Sequence, residues 1–363
     1  MKILNVVGAR PNFMKIAPLM AEYGRRQGVE AVLVHTGQHY DQAMSRLFFS
    51  ELGIPQPDVN LEVGSGSHAA QTAEIMKRFE LVVLDTKPDV VVVVGDVNST
   101  IACGLVAVKL GIRLAHVEAG LRSFDRSMPE EVNRVLTDAI SDFLFCTEQS
   151  GIENLLNEGI PKDKVHFVGN VMIDTLLSNR AKAQESTILD RLEVNGSRYA
   201  LLTLHRPANV DDPQVFGNIL VAVDVILQDM PVIFPVHPRT RANLDGSTVG
   251  ARIDQMAGLR LTEPLGYLDF LRLMSSAAVV LTDSGGIQEE TTILKVPCLT
   301  LRDNTERPVT VTYGSNQVVG RDPARILAAY KDAVNPNGRI LRTPPLWDGQ
   351  AARRIVDVLI QQA

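Results

Sequence analysis

Apolar residues follow two alternating rhythms along the chain. Short, almost continuous apolar runs occur at 2–7, 29–35, 90–94, 112–117, 143–146 and 165–168. Between them, at 13–26, 41–52, 100–110 and 130–142, apolar residues recur three and four positions apart. The last segment is the clearest helix: Val132, Val135, Leu136, Ala139 and Ile140 keep the helical period. The rhythm restarts with strand-like runs at 199–204, 231–236, 277–282 and 297–301, and helical segments at 213–227, 286–294 and 322–334. Asp212-Pro213 opens the first of these helices as an N-cap followed by a proline, whose missing N–H is not needed there. Strands that are apolar throughout, each followed by a helix, predict parallel sheets covered on both faces. The expected fold class is α/β, with Rossmann-like domains at 1–170 and 171–347. The hinge is expected near Gly169-Asn170, with the polar, weakly periodic stretch 178–197 joining the halves. A C-terminal helix within 348–363 follows the Pro344-Pro345 break and is expected to pack back on the first domain.

The length of 363 residues accommodates two domains at roughly 150 residues each. Thirty-six basic against forty-two acidic residues leave a net charge of -6, which argues against a nucleic-acid partner. Hydrophobic residues at 45% can fill a core in each domain, so the chain is globular rather than disordered. No apolar run approaches the ~18 residues of a membrane span, and no signal-peptide pattern follows Met1. Neither a membrane partner nor secretion is expected. Cys103, Cys146 and Cys298 are far apart and odd in number, which fits neither a disulfide framework nor a zinc knuckle. The expected location is the cytoplasm.

In open parallel sheets, ligands bind beyond the carboxyl ends of the strands. The unusual polar residues collect there: Arg10, 35–39, Asp96, His116 and Glu118 in the first half, and His205, His237 and 283–286 in the second. Two such rims facing each other would make an interdomain cleft. Ser284-Gly285-Gly286 stands between a strand and a helix, where glycines let a phosphate reach the free N–H groups of the first turn. The alternative is a plain N-cap and tight turn. Neither a GxSxG elbow nor a P-loop is present, and Gly64 to Ala69 only mimics a dinucleotide fingerprint. Arg10 and Arg307 suit a diphosphate, since a planar guanidinium matches phosphate oxygens; otherwise they form surface salt bridges. Lys15 is a third cation or simply solvated.

Three carboxylates are candidates for proton transfer. Asp96 follows a buried strand, either for chemistry or to order Asn98-Ser99-Thr100. Glu118 serves the same chemistry or pairs with Arg122. Glu130 serves it too, or occupies N3 of a capping box begun by Ser127. His205 points off its rim as a catalytic group or a structural hydrogen-bonder. No metal-binding spacing appears.

Taken together, GARPNFMKIAPL (8–19), TGQH (36–39), GDVNST (95–100), HVEAGLRSFDRSMPEEVNR (116–134), GN (169–170), LHRPANVD (204–211), PVHPR (235–239), TDSGGIQEE (282–290) and RDNTERP (302–308) resemble the non-hydrolysing UDP-N-acetylglucosamine 2-epimerase family. The resemblance implies a GT-B architecture of two Rossmann-like domains, with the active site in the interdomain cleft. It implies reversible inversion at C2 of the sugar, giving UDP-N-acetylmannosamine, without a cofactor or metal, by a cytoplasmic homodimer. It places UDP on Arg10, Ser284, Gly285, Gly286 and Glu290, with Glu290 at the ribose hydroxyls and Arg307 near the diphosphate. It assigns Asp96, Glu118, Glu130 and His205 to catalysis. Some bacterial members carry an allosteric site on the segment that here begins Gln38-His39. Relatives acting on UDP-2,3-diacetamido-2,3-dideoxyglucuronic acid share several of these spellings, and a hydrolysing 2-epimerase is the other alternative.

Overall fold

The computed structural model describes residues 1–37, 42–335 and 341–362, apart from the side chains of Arg10, Arg239 and residues 42–46. The chain forms two compact units, Met1–Ser178 with Pro345–Ala363, and Asn179–Pro344.

Unit 1 is built on seven parallel strands: β1 (Lys2–Val7), β2 (Glu30–His35), β3 (Val59–Asn60), β4 (Val90–Val94), β5 (Arg113–Ala119), β6 (Phe143–Cys146) and β7 (Val165–Phe167). Their order is β3-β2-β1-β4-β5-β6-β7. The five valines of β4 sit at its centre, buried throughout, with Val92 facing Asn5 on one side and Ala115 on the other. Helices shield both faces of such a sheet, so its central strands need no polar alternation. Leu4, Val6, Val91 and Val93 pack against Ile75, Phe79 and Val83 of a long helix, His68–Thr86.

Unit 2 repeats the plan with β8 (Ala200–Thr203), β9 (Val232–Pro235), β10 (Leu259–Thr262), β11 (Val279–Thr282), β12 (Cys298–Thr300) and β13 (Asn316–Val318), in the order β10-β9-β8-β11-β12-β13. Asp212 caps the helix Pro213–Ile226 by accepting from the Gln214 and Val215 amides. That helix buries Phe216, Ile219, Leu220 and Val223 in the core.

Several local readings change. The stretch 178–197 is largely helical, with Val171–Gln184 running across the boundary and Ile188–Arg191 following. Unit 1 accordingly extends past Gly169-Asn170 into that helix, which Thr175 ties to the first helix by donating to the Met14 carbonyl at 2.6 Å. The C-terminal helix Ala351–Gln362 belongs to unit 1, where Asp357 meets Arg26 at 2.7 Å.

The helix Pro129–Ile140 forms, but its inward face is polar. Glu131, Arg134, Thr137 and Asp138 are buried, while Leu136 is 49% exposed. Ion pairs inside unit 1 hold Glu131, Arg134 and Asp138 inward, while Thr137 donates to the Asn133 carbonyl.

Candidate active site

The carboxyl ends of β1, β4 and β5 bring the unit 1 candidates together. Asn12 organises the first loop: its side-chain oxygen accepts from the Gly8 and Ala9 amides at 3.0 Å, and its amide donates to the Val94 carbonyl at 3.0 Å. Arg10 opens the helix Arg10–Tyr23 from this loop, with its side chain outside the described set. Lys15 is buried, not solvated, and forms an ion pair with Glu118. This pair lies against Gly95, where an added Cβ would stand 2.8 Å from Lys15 Nζ and 3.4 Å from Glu118 Oε2. Gly95 also adopts φ +69, so a side chain there is excluded twice over.

Glu118 does not pair with Arg122. Arg122 meets Asp138 at 2.7 Å and grips Glu158 with two hydrogen bonds. Glu118 has φ +76 at a register shift between Val117 and Ala119. A non-glycine residue in the left-handed region costs about 1–2 kcal/mol, and the bulge turns this side chain off the sheet edge. Asp96 is half-buried and pairs with Arg134, which also pairs with Glu131. Asp96 therefore does not serve as the cap of the helix Asn98–Lys109, whose N-cap is Val97.

The capping box is not made. Ser127 spends its hydroxyl on Asp125 at 2.6 Å, Met128 is the N-cap, and Glu131 rather than Glu130 occupies N3. Glu131 reaches back to Ser123 and the Phe124 amide instead. Glu130 stands half-buried on the first turn, one turn before Arg134.

In unit 2, Asp283 is fully buried at the end of β11 and gathers the His205 turn. It accepts from the His205 and Arg206 amides and from Asn209, and lies 2.9 Å from His205 Nδ1. Burial alone would raise its carboxyl, but His205 and the backbone N–H groups hold it below the usual range. His205 has a side chain 40% exposed, and its ring centroid lies 5.8 Å from that of His237.

Ser284 is the N-cap of the helix Gly285–Leu294, yet its side chain makes no capping hydrogen bond. The first-turn N–H groups at Gly285 and Gly286 are therefore not spent on Ser284, as anion binding requires. Arg307 lies directly over this turn: a Cβ at Gly285 would meet its guanidinium at 2.5 Å. Rather than a surface salt bridge, Arg307 makes a buried one with Glu289 at 2.7 Å. Glu306 stands behind, gripped by Arg302 through two hydrogen bonds and 3.6 Å from Arg307. Burial would lift the Glu306 carboxyl, but these arginines draw it far below the usual range. Glu290 is also buried and accepts from the Tyr267 hydroxyl at 3.0 Å; burial pushes its carboxyl up to about 8.

Sequence reasoning missed Arg134, Asp138 and Glu306, and placed Asp283 on the rim without a role. Asp283 alone had a visible signal, its place after a rim strand. Gln38 and His39 lie outside the described residues. Among the described residues no cluster of metal-ligating side chains occurs.

Two parallel α/β sheets with alternating helices, carrying carboxylates at the strand ends of unit 1 and a helix start without a side-chain cap in unit 2, define the GT-B class. A family model for UDP-N-acetylglucosamine 2-epimerase matches residues 21–360, and the chain belongs to that family. It is 48% identical over 361 residues to the UDP-N-acetylglucosamine 2-epimerase homolog of Methanococcus maripaludis, spanning 99% of each chain. It is 39% identical over 369 residues to the UDP-2,3-diacetamido-2,3-dideoxy-D-glucuronate 2-epimerase of Pseudomonas aeruginosa, again 99% of each. The crystal structure of Methanocaldococcus jannaschii UDP-GlcNAc 2-epimerase in complex with UDP-GlcNAc and UDP superimposes with a TM-score of 0.92 at 43% identity, covering 99% of this chain and 100% of that one.

Proposed function

We propose that this chain interconverts UDP-N-acetylglucosamine and UDP-N-acetylmannosamine without hydrolysing them. The observation that carries the reading is the pair of rims: three carboxylates with a buried lysine in unit 1, and an uncapped helix start beneath an arginine in unit 2.

The C2 hydrogen of such a sugar is not next to a carbonyl, so simple abstraction would leave an unstabilised carbanion. Breaking the anomeric C1–O bond as the proton leaves avoids this. The intermediate is 2-acetamidoglucal plus UDP; protonation of the opposite face and return of UDP give the epimer. The departing diphosphate needs positive charge and N–H donors. Arg10, Arg307, Ser284 and the Gly285-Gly286 turn supply them, and Glu290 holds the ribose. Asp283 occupies His205 Nδ1, which leaves Nε2 as the working nitrogen toward the leaving group. Asp96, Glu118 and Glu130 exchange the C2 proton and stabilise positive character at C1. Lys15 holds Glu118 in place. The route needs neither metal nor nicotinamide.

A cytoplasmic homodimer fits this reading. No helix among the described residues is long and apolar enough to cross a membrane, and all three cysteines are buried free thiols. Leu81, Leu84, Val108 and Leu136 are exposed on three neighbouring helices of unit 1, a face suited to a second copy.

The test is incubation with UDP-N-acetylglucosamine in deuterium oxide, followed by NMR at C2. Deuterium in both UDP-sugars is the expected result. Free N-acetylmannosamine with UDP would replace epimerisation by hydrolysis. Tight UDP binding without exchange would make the chain a binding protein. The 39% relative motivates the same assay with the diacetamido uronate; exchange confined to that sugar would reassign the substrate.

A further inference from the structure

We propose that Asp138 is a positioning residue that sets the backbone beneath both Asp96 and Glu118. The inference rests on the functional reading above for those two carboxylates, and on geometry inside unit 1 for the rest.

Asp138 is fully buried on the inward face of the helix Pro129–Ile140, so it cannot touch a substrate. Its two oxygens work in different directions. Oδ1 lies 2.6 Å from His116 Nδ1, and His116 Nε2 lies 2.8 Å from the Gly95 carbonyl. A carbonyl only accepts, so the ring donates through Nε2. The Gly95 carbonyl and the Asp96 amide share one planar peptide unit. Fixing that oxygen therefore fixes the direction in which the chain leaves for Asp96. Gly95 has no Cβ to restrict it, and its own amide is bound to the Val117 carbonyl at 3.0 Å. Both halves of this turn are thus set by β5, one through backbone and one through His116.

Oδ2 accepts from the Gly120 amide at 3.1 Å and from Arg122 at 2.7 Å. Gly120 has φ +81 and stands two residues after Glu118, itself at φ +76. A left-handed non-glycine residue persists only where its surroundings hold it. Asp138 holds the downstream end of that bulge. One carboxylate thereby registers two strand exits that are consecutive in the sheet and distant in sequence.

Hydrogen–deuterium exchange read by mass spectrometry, combined with steady-state kinetics, tests this. In Asp138→Ala the peptides containing Gly95 and Gly120 are both expected to lose protection, with the rest of unit 1 unchanged. In His116→Leu only the Gly95 peptide should. Turnover of Asp138→Ala is expected to fall about 30-fold or more, on the scale of lost general acid–base geometry. KM should stay within threefold and UDP affinity within twofold. Asp138→Asn should recover most of the turnover, because its oxygen can accept from Gly120 and Arg122 while its amide donates to His116 Nδ1. Unchanged protection at both turns, a parallel loss of kcat and UDP affinity, or Asn no better than Ala would each overturn the proposal. Should Asp138→Ala not fold, His116→Leu carries the same decision on its own arm. A wild-type enzyme that exchanges no C2 hydrogen would fell the functional reading, while the amide-exchange pattern would still decide the role of Asp138.

Discussion

Glu290→Gln tests the enclosure of the proposed ribose ligand before any nucleotide is added, because its effect on stability follows mainly from burial. Enclosure in unit 2 raises the Glu290 carboxyl from 4.5 to about 8; the Tyr267 hydroxyl pulls it down and Glu289 pushes it up. The folded protein then keeps a proton that the unfolded chain releases above pH 4.5. Stability from this group is fully present below the unfolded value and is lost as pH rises through the folded one. At about 1.4 kcal/mol per pKa unit, the loss approaches 5 kcal/mol once pH passes 8. Glutamine stays neutral and keeps an oxygen to accept from Tyr267. The variant should therefore be more stable than wild type, by less than about 1 kcal/mol at pH 5 and by several kcal/mol at pH 8. Urea unfolding by circular dichroism across this range measures the gap. Trp347, the single tryptophan, lies in unit 1, so its fluorescence transition is an internal control. A gap of equal size at pH 5 and pH 8 would refute the reasoning.

Asp96→Asn and Glu118→Gln should each lower C2 deuterium exchange by about 100-fold or more; near-normal rates in both would remove these carboxylates from the chemistry. His205→Ala should slow loss of UDP, measured by single-turnover release, and unchanged release would return His205 to a structural role. Gly95→Ala forces a Cβ within 2.8 Å of Lys15 Nζ at a left-handed φ. It should lower both the melting temperature and turnover, and a variant matching wild type in both would contradict the packing of the Lys15–Glu118 pair. Leu81→Glu with Leu136→Glu should give monomers by analytical ultracentrifugation, whereas an undiminished mass would point to another face.

The sheets were legible because a parallel strand buried on both faces must be apolar at nearly every position, as 90–94 is. The turn at 285–286 was legible as a strand-to-helix junction, because glycines follow the apolar run of β11 and a helical segment follows them. The helix Pro129–Ile140 misled in detail. Its strongest periodic signal is an apolar stripe that is only partly buried, with Ile140 against the core and Leu136 exposed, whereas its buried residues are polar, and Arg134 and Asp138 found partners far away in sequence. Arg134 could not be linked to Asp96, nor Asp138 to His116, without the fold. Glu130 and Ser127 matched a capping pattern, but a nearer competitor, Asp125, took the serine hydroxyl. The stretch 178–197 lacks apolar periodicity because most of its first helical part, 178–184, faces water, yet 178–184 and Ile188–Arg191 are helical.

The chain leaves unit 1 after Ser178 and returns only at Pro345. The returning tail is not decoration: Trp347 donates to the Thr147 carbonyl at 2.9 Å, and Asp174 receives the Ala351 and Ala352 amides. On a ribosome, where domains fold as they emerge, the part made first is thus finished last. Its covering helix reaches the tunnel exit only after the whole inserted unit has been translated, so a message cut short anywhere before that point yields an open-sided first sheet.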